Sequence, residues 1–361
     1  MVEKNENQGK KDFRSIVRLG NASILLASLV LVISVLSIWL LLGGDQQYPF
    51  LKKEIEKPKL EPSEVISEED YLKKFVLEEV PETPEGDQIR YGHALITETY
   101  RFLGPEVANP KMRYTGNNLA CSNCHLNAGK KEFAAPFIGI WKRYPSFSNR
   151  KNRRITLKER INGCMERSMN GRKLEPDGKE MEAMVAYMKW LSSGIPDKQL
   201  RNQQAFIEIK LPERGANLVK GELLFKKHCS TCHGSQGQGV RKGVPGDTEG
   251  YVFPPLWGED SYNHGAGMHR MLTAARFLKG NMPLGASDDR PLLTDEEAYD
   301  VAAFINSFDR PQKEGTEKDY PDLSKKPVDS PYPPFGDSFP VSQHKFGPFQ
   351  PIVENQKRIK E

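Results

Sequence analysis

The sequence predicts an all-α protein with two small domains in tandem behind one N-terminal transmembrane helix, and an irregular, proline-rich C-terminal tail. Three observations carry this prediction: an uncharged stretch near the N-terminus, two Cys-x-x-Cys-His motifs, and apolar residues at helical spacing on both sides of these motifs. The net charge of +4 over 361 residues gives no indication of a nucleic-acid partner, and we expect none.

Residues 22–42 form an uncharged, largely apolar stretch of 21 positions. A helix that rises about 1.5 Å per residue needs this length to cross the ~30 Å hydrocarbon layer of a membrane. Residues 1–21 carry basic side chains, among them Lys10 and Arg18, which favours a cytoplasmic N-terminus. A cleaved signal peptide is the alternative, but its apolar region usually spans only about 7–15 residues. We therefore expect an uncleaved single-pass anchor in the cytoplasmic membrane, with the rest of the chain on the periplasmic side.

Residues 43–85 are rich in Glu, Lys and Pro and lack a helical repeat of apolar side chains. This composition predicts a stiff, solvated linker. One short helix near residues 70–77 is the regular element that we expect there.

The two Cys-x-x-Cys-His motifs are Cys121-Ser-Asn-Cys124-His125 and Cys229-Ser-Thr-Cys232-His233. This motif is typical of covalent attachment of c-type haem. The two thiols bond to the porphyrin, and the histidine becomes an axial ligand of the iron. The sequence therefore predicts two covalently bound haem c groups and a protein that handles electrons.

Each motif lies in a segment with the helical plan of a small cytochrome c. Residues 86–200 predict a first domain, with a helix over 87–103 and a closing helix that Asp177 caps. Residues 213–310 predict a second domain, with a helix over 216–227 and a closing helix that begins at the capping box of Thr294 and Glu297.

The second haem needs a sixth ligand, for which Met282 is the natural candidate. It lies between the motif and the closing helix in the segment Asn281-Met-Pro-Leu-Gly, and ligation by His and Met raises the reduction potential. His264, His269 and Lys279 are the alternatives.

The first haem has three candidate sixth ligands in what we expect to be a short loop: Cys164, Met165 and Met169. Cys164 is the fifth cysteine of the chain, and between residues 142 and 173 it is surrounded by eleven basic and two acidic residues. A metal-bound thiol is deprotonated, and basic surroundings stabilise the resulting anion. Residue spacing does not choose among the three candidates.

The tail over 311–361 is rich in proline and aromatic residues without a helical repeat. Its aromatic side chains are too apolar for a free linker. We expect it to wrap one or both domains as ordered coil.

Two segments resemble the catalytic haem domain of the diheme thiosulfate dehydrogenases: residues 116–129, which contain the first motif, and residues 160–171, Arg-Ile-Asn-Gly-Cys-Met-Glu-Arg-Ser-Met-Asn-Gly. The resemblance continues through 281–285 and 343–351, and covers about residues 86–351. The segment around Cys164 is its specific part, because Cys-x-x-Cys-His motifs and Asn-Met-Pro loops occur in many cytochromes.

The resemblance implies an enzyme that couples two thiosulfate ions to tetrathionate and releases two electrons, or catalyses the reverse reaction. It implies that the first domain carries the catalytic haem, with His125 and Cys164 as ligands. The second domain would carry an electron-transfer haem, with His233 and Met282 as ligands. The substrate contacts of the family fall on Arg150, Arg160 and Ser168. One position that is often Gln in the family is Gly129 here, and the membrane anchor departs from soluble members. An anchor suggests a redox partner at the membrane, either a cytochrome or another electron acceptor or donor.

Two other functions are compatible with these residues. One is a membrane-anchored diheme electron carrier without substrate chemistry, which leaves Cys164 and its basic surroundings without a role. The other is an enzyme that uses the same thiolate on a related sulfur anion such as sulfite or polysulfide, or on a thiol. Arg150 and Arg160 have an alternative role as partners of the haem propionates, and Ser168 has one in capping a turn.

Overall fold

The computed structural model describes residues 32–35, 75–196 and 204–360. Their regular structure is mainly helical, and their β-structure consists of two short antiparallel pairs. The prediction of a mainly helical fold is confirmed for the described residues. The two pairs join Ser146–Ser148 (β1) to Arg153–Ile155 (β2) and Val240–Arg241 (β3) to Tyr251–Phe253 (β4).

The first half of this structure contains five helical segments: Pro84–Thr97 (α1), Thr99–Leu103 (α2), Leu126–Gly129 (α3), Leu157–Arg167 (α4) and Lys179–Trp190 (α5). Thr83 caps α1 by accepting a hydrogen bond from the Gly86 amide at 3.1 Å, and Pro84 occupies the first helical position. Helices α1 and α5 pack so closely at Gly92 that an added Cβ would lie 2.0 Å from the Ala183 carbonyl oxygen. Only glycine permits this approach.

The second half repeats this plan with Leu218–His228 (α6), Ser230–His233 (α7), Met271–Asn281 (α8) and Asp295–Ser307 (α9). Gly221 of α6 lies against α9, where an added Cβ would be 2.3 Å from the Asp300 carbonyl oxygen. The predicted capping box is confirmed, because Thr294 and Glu297 each accept a hydrogen bond from the other's backbone amide. The internal repeat therefore includes the glycine at which the first and last helices of each half meet.

The two halves share side chains across their boundary. Each half has its own hydrophobic core, yet Tyr251 of the second half packs in the first core and Ala134 of the first packs in the second. Asn117 Nδ2 donates to the Ser261 carbonyl at 3.1 Å, and Asn263 Nδ2 donates to the Glu166 carbonyl at 2.9 Å. Buried hydrogen bonds of this kind fix the two halves in one arrangement.

The C-terminal tail differs from the prediction of ordered coil. It contains two helices, Val341–Phe346 (α10) and Gln350–Lys360 (α11), and Phe349 and Ile352 are fully buried in the second core. The sequence does not predict these helices, because prolines and aromatic residues precede α11. The tail therefore packs into the second core with helices where coil was expected.

Other sequence-based expectations need correction. Cys164 and Met165 lie on α4, not in a loop, and Met282 directly follows the unpredicted helix α8. Helix α5 begins at Lys179 after Gly178, and Asp177 does not cap it. Thr156 and Glu159 form the capping box that starts α4, which the sequence analysis did not identify.

The predicted membrane anchor over 22–42 lies outside the described residues except at 32–35, as do residues 1–21 and most of the linker over 43–85. Among the helices of the described ranges, none combines the length and apolar character that crossing a bilayer requires. The anchor therefore stays a prediction.

Candidate active site

The first Cys-x-x-Cys-His motif forms one turn that aims its histidine into a cavity. The Cys121 amide donates to Thr99 Oγ1 at 3.1 Å, and the His125 amide donates to the Cys121 carbonyl at 3.0 Å. His125 Nδ1 lies 2.6 Å from the Ala135 carbonyl oxygen. Because a carbonyl only accepts, Nδ1 carries the proton and Nε2 is left as the ligating nitrogen. Burial lowers the pKa of His125 to about 4, so the imidazole is neutral as a metal ligand requires.

The second motif uses the same device. His233 Nδ1 lies 2.8 Å from the Pro254 carbonyl oxygen, and burial again lowers the pKa of the imidazole. Burial also raises the pKa of the Cys229 thiol to about 11. Both motifs therefore present two thiols and one oriented, neutral histidine, which is the donor set of covalently attached haem.

An apolar cavity of about 260 Å³ adjoins the first motif. Cys121, Cys124 and His125 line it together with Cys164. Its other apolar lining includes Ile96, Leu119, Phe137, Ile140, Leu157, Ile161, Met184 and Met188. An apolar slot with attachment thiols, a histidine and soft sulfur atoms fits a porphyrin with an axial sulfur ligand.

A second cavity, of about 370 Å³, shares Cys124, His125, Cys164 and Met268 with the first. We call it the cationic cavity, because five cationic and three anionic side chains line it. These are Arg150, Lys151, Arg160, Arg167 and Arg270, and Glu159, Glu166 and Asp319. Cys164 lines both cavities, whereas Met165 and Met169 line the apolar one. Among the three candidate sulfur ligands, Cys164 is therefore the one that a small anion could reach.

Arg160 and Ser168 line both cavities beside Cys164. The pKa of Arg160 is raised above its usual value, chiefly by attraction to the Cys164 sulfur. Within the described ranges no protein group is hydrogen-bonded to the Ser168 hydroxyl, so it is available to a ligand. The structure thus brings together three of the predicted catalytic residues, with Arg160 placed to stabilise a thiolate.

Arg150 belongs to the same cavity but is held by the tail. Its Nη1 donates to the Gly265 carbonyl at 2.9 Å and to Asp319 Oδ2 at 3.1 Å. Arg167 Nη2 donates to the other Asp319 oxygen at 2.8 Å, and Tyr332 donates its hydroxyl to Asp319 at 2.8 Å. The buried Asp319 carboxylate therefore fixes two guanidinium groups at the cavity wall.

Sequence reasoning missed Arg270, Asp319 and Asp329. Arg270 Nε donates to Asp329 Oδ1 at 2.9 Å, across 59 residues of sequence. No local sequence pattern predicts an ion pair between residues so far apart in the chain. Arg167 had a signal, since it belongs to the basic cluster around Cys164, but nothing in that cluster distinguishes it from the exposed arginines.

Gly129 lies outside the linings of both cavities. Its φ is +81°, and an added Cβ would lie 2.2 Å from the Phe137 ring, which itself packs on His125 with 4.3 Å between ring centroids. A glutamine at this position would displace Phe137 from the histidine. The absence of Gln is thus a packing requirement of this chain.

At the second motif, one alternative to Met282, Lys279, is engaged elsewhere. Lys279 Nζ donates to the Leu293 carbonyl at 2.8 Å and pairs with Asp295 at 3.0 Å. His269 Nδ1 lies 2.8 Å from the His264 carbonyl, and His264 Nδ1 accepts from the Lys313 amide at 2.8 Å, so both histidines keep Nε2 and stay alternatives. Met282 is half-buried against the second core and has no such engagement among the described residues.

Family models match both halves of the chain. Residues 112–196 match the SoxA/TsdA cytochrome c domain, and residues 218–309 match the cytochrome c domain. Both matches lie within the predicted domains 86–200 and 213–310. The two halves are therefore cytochrome c-like domains, and such domains imply haem c.

Several curated proteins that are similar to this chain are thiosulfate dehydrogenases. A thiosulfate dehydrogenase of Stutzerimonas stutzeri is 38% identical over 68% of this chain and 74% of its own length. One from Allochromatium vinosum is 42% identical over 64% of this chain and 82% of its own. The solved thiosulfate dehydrogenase TsdBA of Marichromatium purpuratum, in its as-isolated form, is 36% identical with a TM-score of 0.58. That match covers 66% of this chain and 49% of the solved chain, so this chain spans about half of that protein's length. This chain is therefore an oxidoreductase that belongs to the thiosulfate dehydrogenase family.

Proposed function

We propose that this protein is a diheme c-type oxidoreductase that couples two thiosulfate ions to tetrathionate, or catalyses the reverse reaction. The observation that carries the proposal is the position of Cys164, which lies where the apolar cavity of the first motif opens into the cationic cavity. An electron carrier needs no such opening. Thiosulfate is a small dianion, and a cavity lined by five cationic side chains suits it.

Two haem c groups would be held by Cys121 and Cys124 in the first domain and by Cys229 and Cys232 in the second. The iron ligands would be His125 and Cys164 in the first domain, and His233 and Met282 in the second. When bound, the haems accept the electrons of the reaction and pass them to a redox partner. Ligation by His and Met favours the higher potential, which suits the second haem as the exit for electrons.

The chemistry of the proposal takes place on the Cys164 sulfur. Its thiolate forms a bond to the outer (sulfane) sulfur of one thiosulfate, and this step releases two electrons. The product is a Cys–S–S–SO₃⁻ adduct. The thiolate sulfur of a second thiosulfate then attacks the sulfane sulfur of the adduct. Tetrathionate leaves with both sulfonates, and Cys164 departs as the thiolate with its electron pair.

Arg150, Arg160 and Ser168 would bind the anions during this sequence. An arginine offers paired donors to sulfonate oxygens, and each charged hydrogen bond contributes about 1.5–3 kcal/mol. Arg160 also stabilises the thiolate that each cycle regenerates, and Ser168 has its hydroxyl free for a sulfonate oxygen. These cations offset the repulsion between two dianions that must approach to bonding distance.

We further propose that residues 22–42 anchor the protein in the cytoplasmic membrane and that the haem domains lie on its periplasmic side. The apolar stretch and the basic residues before it support this placement. A cytochrome or a membrane-bound electron acceptor or donor would then be the redox partner.

Electron paramagnetic resonance of the oxidised holoprotein beside its Cys164→Ala variant tests the proposal. We expect a low-spin thiolate-type haem signal that disappears in the variant, together with loss of thiosulfate turnover and retention of both haems. If the variant keeps the wild-type spectrum and turnover, Cys164 is not at the iron and the diheme electron carrier is the better description.

A further inference from the structure

Coupling two thiosulfate ions requires two anion positions, and the cationic cavity has walls from both domains. Arg160 and Arg167 lie on α4 of the first domain, whereas Arg270 belongs to the second domain and immediately precedes α8. Arg270 is outside the basic cluster of the first domain and outside the residues that the family resemblance assigns. Its presence in the lining calls for a role.

Arg270 is held with its outer nitrogens free. Its Nε donates to Asp329 Oδ1 at 2.9 Å, and the other oxygen of Asp329 accepts from the Leu272 amide at 3.0 Å. Asp329 is 1% exposed, so the pair is anchored from the side away from solvent. Within the described ranges neither Nη atom of Arg270 has a hydrogen-bond partner. A fixed guanidinium with two free Nη groups is a ready receptor for a sulfonate.

Apart from Arg160, the remaining charged side chains of the cavity each have a partner of opposite charge. Asp319 holds Arg150 and Arg167, as described above, and Glu159 lies 3.7 Å from Lys151. Glu166 has Lys313 at 4.0 Å. The carboxylate that balances Arg270 is Asp329, which does not line the cavity. The Arg270 guanidinium group therefore lines the cavity, whereas its counterion Asp329 lies outside the lining.

We propose that Arg270 binds the sulfonate of the second, attacking thiosulfate, and that Asp329 is the residue that positions it. This inference rests on the proposed function. Arg160 serves the first thiosulfate, which becomes the Cys164 adduct, and Arg270 serves the ion that discharges it. Tetrathionate would then lie across the domain boundary, with one sulfonate on each domain.

The two half-reactions give the test. Without Arg270 the first thiosulfate still loses two electrons to the haems and forms the Cys–S–S–SO₃⁻ adduct. Discharge slows, because the incoming dianion has lost its partner. The adduct is measured by intact-protein mass spectrometry of the holoenzyme after mixing with thiosulfate and ferricyanide as electron acceptor. Its decay is then followed after a second addition of thiosulfate.

For Arg270→Gln we expect the adduct to form at the wild-type rate and to decay roughly 10- to 100-fold more slowly, with the KM for thiosulfate raised. For Arg160→Gln we expect slower formation of the adduct instead. Arg276→Gln is the matched control, because Arg276 lies on α8, pairs with Glu208 at 3.0 Å and does not line the cationic cavity. It should behave as the wild type.

Arg270→Gln leaves Asp329 as a buried, unpaired carboxylate, which could disturb α8. The double variant Arg270→Gln with Asp329→Asn removes that charge and should show the same slow discharge. Asp329→Asn alone should raise the KM less, because Arg270 keeps its charge. Wild-type discharge in the double variant, with both haems bound, would overturn the role of Arg270. A wild-type enzyme that forms no adduct and turns over no thiosulfate would instead overturn the proposed function.

Discussion

The two Cys-x-x-Cys-His segments have the same local structure but different surroundings. In both, a backbone carbonyl holds the histidine Nδ1, at 2.6 Å for His125 and at 2.8 Å for His233. Opposite His125 the apolar cavity opens into a cavity with five cationic side chains, and Cys164 lies at the opening. In the second domain Met282 packs against the core, and the nearby Lys279 is tied to Leu293 and Asp295.

This difference indicates which features of a duplicated fold would distinguish a catalytic haem site from an electron-transfer site. The attachment motif and the histidine carbonyl bond are shared, so they make a haem site without deciding its use. We propose that nearby sulfur side chains decide it: Cys164 with access to anions in one domain, and Met282 against the core in the other. Variants that exchange these features test the interpretation.

Cys164→Met gives the first domain the sulfur ligand proposed for the second and has the largest expected effect. A thioether cannot carry the sulfane adduct, so thiosulfate turnover should fall to background. The potential of the first haem should rise, because His/Met ligation favours the reduced iron. Redox titration and steady-state turnover measure both changes. Retained turnover would mean that the cysteine sulfur is not the reacting atom.

Met282→His should lower the potential of the second haem, since a thioether ligand raises it relative to imidazole. Adduct formation at Cys164 should persist in a single turnover, while steady-state transfer to an acceptor slows by roughly tenfold for each 1.4 kcal/mol of added barrier. Potentiometry with stopped-flow absorbance separates the two steps. An unchanged potential would show that Met282 does not ligate.

Asp319→Asn removes the charge that holds Arg150 and Arg167 together at the cavity wall. The two guanidinium groups then repel each other, and we expect the KM for thiosulfate to rise by a few-fold, with a smaller change in kcat. Asp322→Asn is the control, because Asp322 lies in the same tail and bonds locally to Ser324 and Lys325. A lower KM in Asp319→Asn would mean that the removed negative charge matters more than the lost orientation.

Glu159→Gln has the smallest expected effect and compares the capping boxes of the two domains. The hydrogen bond from Arg153, followed by that from the Thr156 amide, lowers the pKa of Glu159 from 4.5 to about 2. Because the folded-state pKa is depressed, this stabilisation is complete above pH 4.5 and is lost as the pH falls towards 2. The free energy of unfolding should drop by less than about 1 kcal/mol at pH 7.

The difference in free energy of unfolding between wild type and Glu159→Gln should shrink as the pH falls from 4.5 towards 2. Glu297→Gln, the matching change in the second domain, should cost less, because Glu297 is bonded to Thr294 without an arginine. Chemical denaturation at several pH values measures both variants. Equal losses at pH 7 would assign the effect to the cap rather than to Arg153.

The features that the sequence predicted are those with short-range causes. Both attachment motifs are contiguous, and the Thr294 capping box spans four residues, so their patterns are visible without a structure. Helix α4 was missed because Gly163 and several charged residues obscure its apolar face. The contacts of Asp319 with Arg150 bridge 169 residues, and no periodicity carries information over that distance. The carboxylates that hold the arginines of the cationic cavity were therefore the part least accessible to sequence reasoning.

The tail carboxylates have a consequence for the order in which the protein is assembled. Asp319 and Asp329 follow both Cys-x-x-Cys-His motifs in the chain, so ribosomes complete the motifs first. Until the tail is made, Arg150, Arg167 and Arg270 lack the carboxylates that orient them. We therefore expect a nascent chain to become competent for haem attachment before it can recognise an anion.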